Sequence, residues 1–455
     1  MGRDLTYTQH ARAVLVLGLP LIGSQVAQML IGITDAAMLG WYDVAALAAE
    51  VLANSMFVVL LLFGSGFAFA LSPLVAEAEA QGDLTRSRRL TRMAFWLSAL
   101  YGVAVMPLLL TADSVLAALG QTPEVAQGAG EYLRIAGWAI FPALGVTVLR
   151  NYLAALERTR VVFWVTLAAV AVNAFGNWLL IFGNWGFPEL GLRGAAISSV
   201  AVHAFSFLGL IVYVQVVTPE AELFRRIWRP DVEALAGVFK LGWPIGITVV
   251  AEVGLFAASA VMMGWLGAVP LAAHGIAMQV TSITFMVHLG LSNAATIRAG
   301  RAQGAGDWLG VKRGAEVALA LSAGFVVLTI ALYLLLPETL VSLFLSPDDP
   351  QRATVIAMGK VLLAAAAFFQ LMDAGQVMAL GLLRGVQDTR RPMLYAALSY
   401  WGIGAPMAYL LGFVLEMGGV GVWLGLASGL ASAAALMMSR FWRTVLPARQ
   451  AGLAA

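Results

Sequence analysis

Long apolar runs free of Asp, Glu, Lys and Arg recur along the chain at 13–34, 51–76, 93–112, 161–188, 194–219, 317–337, 392–415 and 417–439. Each is close to the roughly 20 residues that a helix needs to cross a bilayer. A further span is predicted near 131–153, between Glu131 and Arg150. The stretch 241–297 is long enough for two helices, holds Glu252 as its only internal charge, and is broken at the Gly-Trp-Leu-Gly-Ala-Val-Pro segment 264–270. Another span, near 354–384, has only Lys360 and Asp373 inside. The pattern therefore predicts an all-α membrane protein with twelve transmembrane helices. The first run follows Arg3 and Arg12 and resembles the start of a signal peptide. It has no small-residue cleavage signature and is read as a retained span.

The basic residues fix an orientation, because Lys and Arg concentrate in cytoplasmic loops. With the N-terminus inside, Arg86, Arg88, Arg89 and Arg92 fall in the inner loop after the second span. Arg150, Arg158 and Arg160 follow the fourth, and Arg225, Arg226, Arg229 and Lys240 join the sixth to the seventh. The remaining inner loops and the tail are also basic. Of the 27 basic residues only Arg134, Arg193, Arg352 and Lys360 are left outside. The expectation is a bacterial-type inner (plasma) membrane protein with both termini cytoplasmic.

The chain also repeats itself. Residues 17–49 and 241–273 align without a gap, with Leu17-Gly18, Pro20, Met38, Gly40-Trp41 and Ala48-Ala49 recurring in the second copy. Gln81-Gly82 is matched to Gln303-Gly304, Thr159-Arg160 to Thr389-Arg390, and Gly191-x-x-Gly194 to Gly418-x-x-Gly421. Six spans per copy is an even number, so both copies enter the membrane in the same sense. The expected organisation is an N-lobe at 1–216, a cytoplasmic linker at 217–236 and a C-lobe at 237–455: two pseudo-symmetric six-helix bundles around a central cleft.

Composition agrees and excludes. Of 455 residues, 61% are apolar and 11% charged, against about 25% charged in soluble domains. A net charge of +2 implies no nucleic-acid surface, and the absence of cysteine removes disulfides and thiolate metal sites. The four histidines, His10, His203, His274 and His288, lack metal-motif spacing. No nucleotide-binding loop, metal-hydrolase motif or nucleophile elbow is present, so neither an enzyme nor ATP-driven transport is supported, and no cofactor is expected.

Candidate chemistry lies in the polar residues inside the spans. Acids there are costly and functional by default. Asp35 lies in the outer half of the first helix, Glu252 mid-way along the seventh and Asp373 near the centre of the tenth. A structural ion pair is the competing reading, but no Arg or Lys lies deep in a predicted helix to complete one. Burial disfavours the ionised form of a carboxyl. Such a group can trade a proton, or hold Na+ with neighbouring oxygens. Glu252 aligns with Gln28, and Asp35 with Ser259, two turns beyond Glu252. Asn173 and Asn177, spaced i, i+4, share one face of the fifth helix. Their spacing suits an ion role or simple knitting of helices. Glu50 and His274 occupy equivalent positions; boundary solvation is read for Glu50 and a core role for His274. Gln28, Phe256, Met262, Phe285 and Met286 are candidate cleft-lining residues, with ordinary packing as the alternative. Gly242-x-x-x-Gly246 around Pro244 predicts close helix packing and a bend.

Pro244-Ile245-Gly246 followed by Glu252-Val253 and Phe256 resembles the seventh helix of MATE (multidrug and toxic compound extrusion) transporters of the NorM-like branch. Gln370-x-x-Asp373-x-x-Gln376, Gly381-x-x-Arg384-Gly385 and Asp388-Thr389-x-x-x-Pro392 resemble the tenth helix and its following loop. Pro20, Gln25 and Asp35 match the first helix, and Asn173 with Asn177 the fifth. The resemblance covers essentially the whole chain. It implies secondary active export of cationic or amphipathic drugs and metabolites by antiport with H+ or Na+. It also implies an N-lobe cation or proton site of Asp35, Asn173 and Asn177 and a C-lobe site of Glu252 and Asp373, with no metal beyond Na+. Phe369 stands where the family pattern suggests a tyrosine, which puts in doubt a hydroxyl ligand there. Two alternatives remain open: a lipid-linked precursor flippase of the same superfamily, and an ion channel. The flippase would want cationic groups in the cleft; the channel would show a repeated selectivity filter.

Overall fold

The computed structural model describes residues 5–348 and 350–452. Arg3, placed on the inner side above, lies outside the described residues. Among the described residues, twelve helices are long and apolar enough to span a membrane: α1 Tyr7–Tyr42, α2 Val44–Ala80, α3 Leu84–Leu110, α4 Pro123–Ala155, α5 Thr159–Leu180, α6 Leu192–Val217, α7 Val232–Leu266, α8 Ala268–Gly304, α9 Trp308–Leu335, α10 Arg352–Gly385, α11 Arg390–Val414 and α12 Gly418–Gln450. The described residues include no strand. The chain is a multi-pass, all-α membrane protein.

Most helices overrun their charge-free runs, because a helix keeps its hydrogen bonds after leaving the hydrocarbon and takes charged turns with it. Side-chain caps mark several ends. Asp43 caps α2 by accepting from the Ala46 amide, Asp83 caps α3 through the Arg86 amide, and Asp307 caps α9 through the Gly310 amide. The break expected within 264–270 is a single residue, Gly267, with φ at +122°.

Turn geometry corrects one detail of the repeat. Gly82 donates to Glu79 O and Asp83 to Ala78 O; Gly306 donates to Gln303 O and Asp307 to Ala302 O. Gly82 and Gly306 both have positive φ, at +73° and +70°. The structural partner of Gly82 is therefore Gly306, not Gly304. A left-handed backbone position decides the match, where a shared Gln-Gly pair misled. Elsewhere the pairing holds. Gly194 lies against the backbone of Leu180 and Gly421 against that of Leu411, so in both copies a side chain would collide with the end of the preceding helix.

The chain forms two compact units. One is Gly23–Gly246; the other combines the chain up to Ile22 with the chain from Ile247 onward. These boundaries do not follow the 217–236 linker. They fall just past Pro20 and Pro244, two positions related by the repeat. A proline removes an internal hydrogen bond and interrupts a helix, so each long helix can pack its two parts in different surroundings. The early part of α1 packs on α8, where Gly290 lies against Ile22. The early part of α7 packs on α2: a Cβ on Gly66 would stand 2.5 Å from Gly242 O, and one on Gly246 2.6 Å from Phe63 O. That close approach is what the Gly-x-x-x-Gly spacing predicts.

The segment read as a linker is tied to α3. Trp96 Nε1 donates to Ile227 O at 2.7 Å, Arg92 donates to the carbonyls of Leu223 and Glu222, and Arg89 pairs with Asp231 and Glu233. Helix α7 begins within this segment, at Val232.

Candidate functional site

In the Gly23–Gly246 unit, α1 and α5 bring together all three residues of the predicted N-lobe site. Asn173 Nδ2 donates to Asp35 Oδ1 at 2.8 Å and Asn177 Nδ2 to the same oxygen at 2.6 Å. Asp35 is 8% exposed and both asparagines are fully buried. The i, i+4 spacing on α5 aims both amides at one carboxylate. Asn173 Oδ1 and Asn177 Oδ1 are buried without a hydrogen-bond partner, so the cluster keeps acceptors in reserve beside its carboxylate.

Asp35 lines a cavity of about 170 Å³, room for several waters. Gln28, Asn54, Tyr132, Ser199 and His203 share its wall with Phe57 and Leu61. Beside it α4 tightens into a 3-10 turn at Gly137–Ala139. Such mid-helix irregularities often mark functional positions.

Three residues here were not assigned to the site from sequence. Glu50 is 3% exposed, not solvated at the boundary as expected. It sits on the α2 face of Ala46, Ala53 and Phe57, which packs into the unit's apolar core, and it interacts electrostatically with Asp35. Its signal was the repeat, which pairs it with a second polar residue, His274. Tyr132 contacts Ser199 through its hydroxyl at 3.2 Å. Arg150 was placed in a cytoplasmic loop but lies inside α4, donating to Gln28 Oε1 at 2.6 Å and Gln25 Oε1 at 2.8 Å.

In the other unit, Glu252 on α7 and Asp373 on α10 interact electrostatically. Asp373 is 3% exposed. Glu252 Oε1 and Asp373 Oδ1 have no hydrogen-bond partner, nor do Gln370 Oε1 and Gln376 Oε1 one turn to either side of Asp373. Gln376 Nε2 donates to the Tyr400 hydroxyl at 2.6 Å. Tyr400 lies in a π-helical stretch of α11, Leu398–Gly404. Arg384, buried near the end of α10, attracts Glu252. The expectation that no Arg or Lys lies deep enough in a helix to partner the acids fails at Glu252, which Arg384 reaches from near a helix end. Arginine stems let a charged head sit inside a span where surrounding acceptors receive it.

The candidate cleft-lining residues divide. Gln28 lines the cavity described above. Phe256 is half-buried and meets Phe369 edge-on at 6.0 Å; Phe369 meets Trp423 at 5.2 Å, and Trp423 meets His274 at 5.6 Å. Phe369 thus fills an aromatic row where a tyrosine hydroxyl was in question. Met262, Phe285 and Met286 are half-buried on α7 and α8. His274 Nε2 lies 3.5 Å from Ser259 Oγ, so the repeat partners of Glu50 and Asp35 are themselves neighbours.

A MatE family profile matches residues 20–179 and 244–410, one stretch in each copy of the repeat. A Rhizobium meliloti protein named "Probable multidrug resistance protein NorM" is 46% identical over 97% of this chain and 95% of its own length. An Agrobacterium fabrum protein of the same name is 44% identical over 96% and 94%. Among solved structures, the eukaryotic MATE transporter AtDTX14 superposes with a TM-score of 0.86 at 18% identity, over 98% of both chains. A MATE structure in a bent conformation gives 0.87 at 18%, over 99% of both. These two show the shared fold. From the matched profile and the near-full-length relatives, the chain belongs to the MatE family.

Proposed function

We propose that this protein exports cationic or amphipathic drugs and metabolites, driven by inward flow of H+ or Na+ and working by alternating access between its two lobes. It resides in a bacterial-type inner membrane with both termini in the cytoplasm. The observation that carries the reading is Asp35, a buried carboxylate held by two amides at the wall of a largely apolar cavity. A site of that kind exchanges a proton, an inorganic cation or an organic cation for one another, which is the chemistry of antiport. The names of the bacterial relatives support drug export, and the skewed distribution of basic residues supports the orientation. Inward movement of one positive charge yields about 2.3 kcal/mol per 100 mV, sufficient for a useful drug gradient.

The test is transport of a fluorescent organic cation by purified protein in proteoliposomes under separate Na+ and pH gradients. One gradient should drive transport in the wild type, and Asp35→Asn should abolish that coupling with normal expression. Transport indifferent to both gradients, or unchanged in Asp35→Asn, refutes the reading.

A further inference from the structure

The segment joining α6 to α7, residues 218–231, is fixed at the level where a bilayer meets water. The α3 side chains that hold it straddle the point at which the charges of that helix stop, at Arg92, and its apolar run starts, at Met93. Arg89 and Arg92 bind the segment from the charged side, through Asp231 and the carbonyls of Leu223 and Glu222. From the apolar side, Trp96 Nε1 donates to Ile227 O and Phe95 meets Phe224 with ring centres 6.1 Å apart. The Asp231 amide donates to the Met93 sulfur at 3.3 Å. Every anchor stands within four residues of the transition, roughly 6 Å along the helix axis.

The two faces of the segment differ. Leu223 is buried and Phe224 and Ile227 are half-buried, while Arg225, Arg226, Trp228 and Arg229 are exposed, Trp228 to 72%. Most of the nearby acids are already engaged: Glu222 pairs with Arg88 and Arg225, and Asp231 and Glu233 pair with Arg89. Glu220, Arg226 and Arg229 have no ion-pair partner among the described residues, which leaves a surplus of arginine on the outer face. The backbone there is strained, with φ at +42° for Glu222 and +57° for Arg226, left-handed positions that disfavour a side chain. Arginines that serve only to orient a chain need to lie in a loop on the right side. They do not need a strained scaffold pinned to a neighbouring helix.

We propose that residues 218–231 form a docking site for anionic phospholipid: Trp228 seats in the headgroup layer, and Arg226 and Arg229 take the lipid phosphate on their guanidinium forks. Tryptophan favours the membrane–water interface, and guanidinium matches phosphate with two parallel hydrogen bonds. The docking goes beyond the export reading and holds whichever side of the membrane the segment faces.

The chain has no cysteine, so Val232→Cys, at a position 79% exposed beside the segment, accepts a single fluorescent label. The full-length labelled protein is placed in phosphatidylcholine nanodiscs. Quenching is compared for phosphatidylglycerol and phosphatidylcholine spin-labelled at the top of the acyl chain, each at the same low mole fraction. One basic residue near an anionic surface is worth about a fivefold local enrichment, so phosphatidylglycerol should be enriched at the label about fivefold or more. The excess should shrink in 0.5 M salt, where the screening length falls to roughly 4 Å. Arg226→Gln with Arg229→Gln should bring the ratio close to one. Arg390→Gln with Arg391→Gln removes the same charge from exposed positions in the loop before α11 and should leave the ratio unchanged. Equal quenching by both lipids, or equal loss of the excess in the two double variants, overturns the proposal. So does a label that responds to millimolar inorganic phosphate in lipid-free micelles while the two lipids quench alike, which would assign the patch to a soluble anion. The ratio is read without transport, so failure of coupled export leaves it measurable.

Discussion

Removing one of the two amides that hold Asp35 tests whether that carboxylate rests ionised. Asn177 and Asn173 donate to the same oxygen at 2.6 and 2.8 Å from positions with no exposure to solvent. A hydrogen bond to an ionised group contributes about 1.5–3 kcal/mol, and a neutral one about 0.5–1.5 kcal/mol. Asn177→Ala also leaves a small void, whose cost is the same whether residue 35 is charged or neutral. A cycle with Asp35→Asn cancels the void and isolates the charge-assisted part. If the carboxylate is ionised, Asn177→Ala should destabilise the wild type by roughly 1 kcal/mol more than it destabilises Asp35→Asn. The assay is unfolding of the wild type, both single variants and the double variant in detergent micelles at mildly alkaline pH. Coupling inside the additivity error of about 0.3–0.5 kcal/mol would refute the ionised, doubly held carboxylate.

Glu252→Gln and Asp373→Asn should each cut efflux strongly in proteoliposomes, with the double variant little worse than either; losses that simply add would mean two independent groups rather than one shared site. In the segment before α7, the Arg89 guanidinium holds the Asp231 carboxyl below its ordinary value of 3.8. This contact stabilises docking at all pH values above that point and is lost as pH falls below it. Hydrogen exchange across 218–231, corrected for intrinsic rate, should rise only in that acid range and should lose its acid step in Asp231→Asn; an onset near neutral pH would contradict the assignment.

Much of this protein is legible in one dimension because lipid is an exacting solvent. Every backbone polar group must be satisfied within the span, so an apolar run of the right length has few options besides a helix. The number of spans, the internal repeat and the close glycine packing of α7 follow from spacing along single helices, whereas the grouping of Asp35 with Asn173 and Asn177 is implied only by the family resemblance. Tertiary structure decided what depends on contacts between helices. Arg150 and Arg384 read as loop charges because each stands near a helix end, and only the tertiary structure brings Arg150 to two glutamines of α1 and Arg384 within electrostatic reach of Glu252. Glu50 read as a boundary residue for the same reason, until the apolar face around it closed over the carboxyl. The π-helical turn that holds Tyr400 against Gln376 has no sequence periodicity of its own. The unit boundaries past Pro20 and Pro244 depend on which neighbours each half of a helix meets. Sequence along a span records which face is polar; what that face meets is set by elements more than a hundred residues away in the chain, as Arg150 is from Gln28.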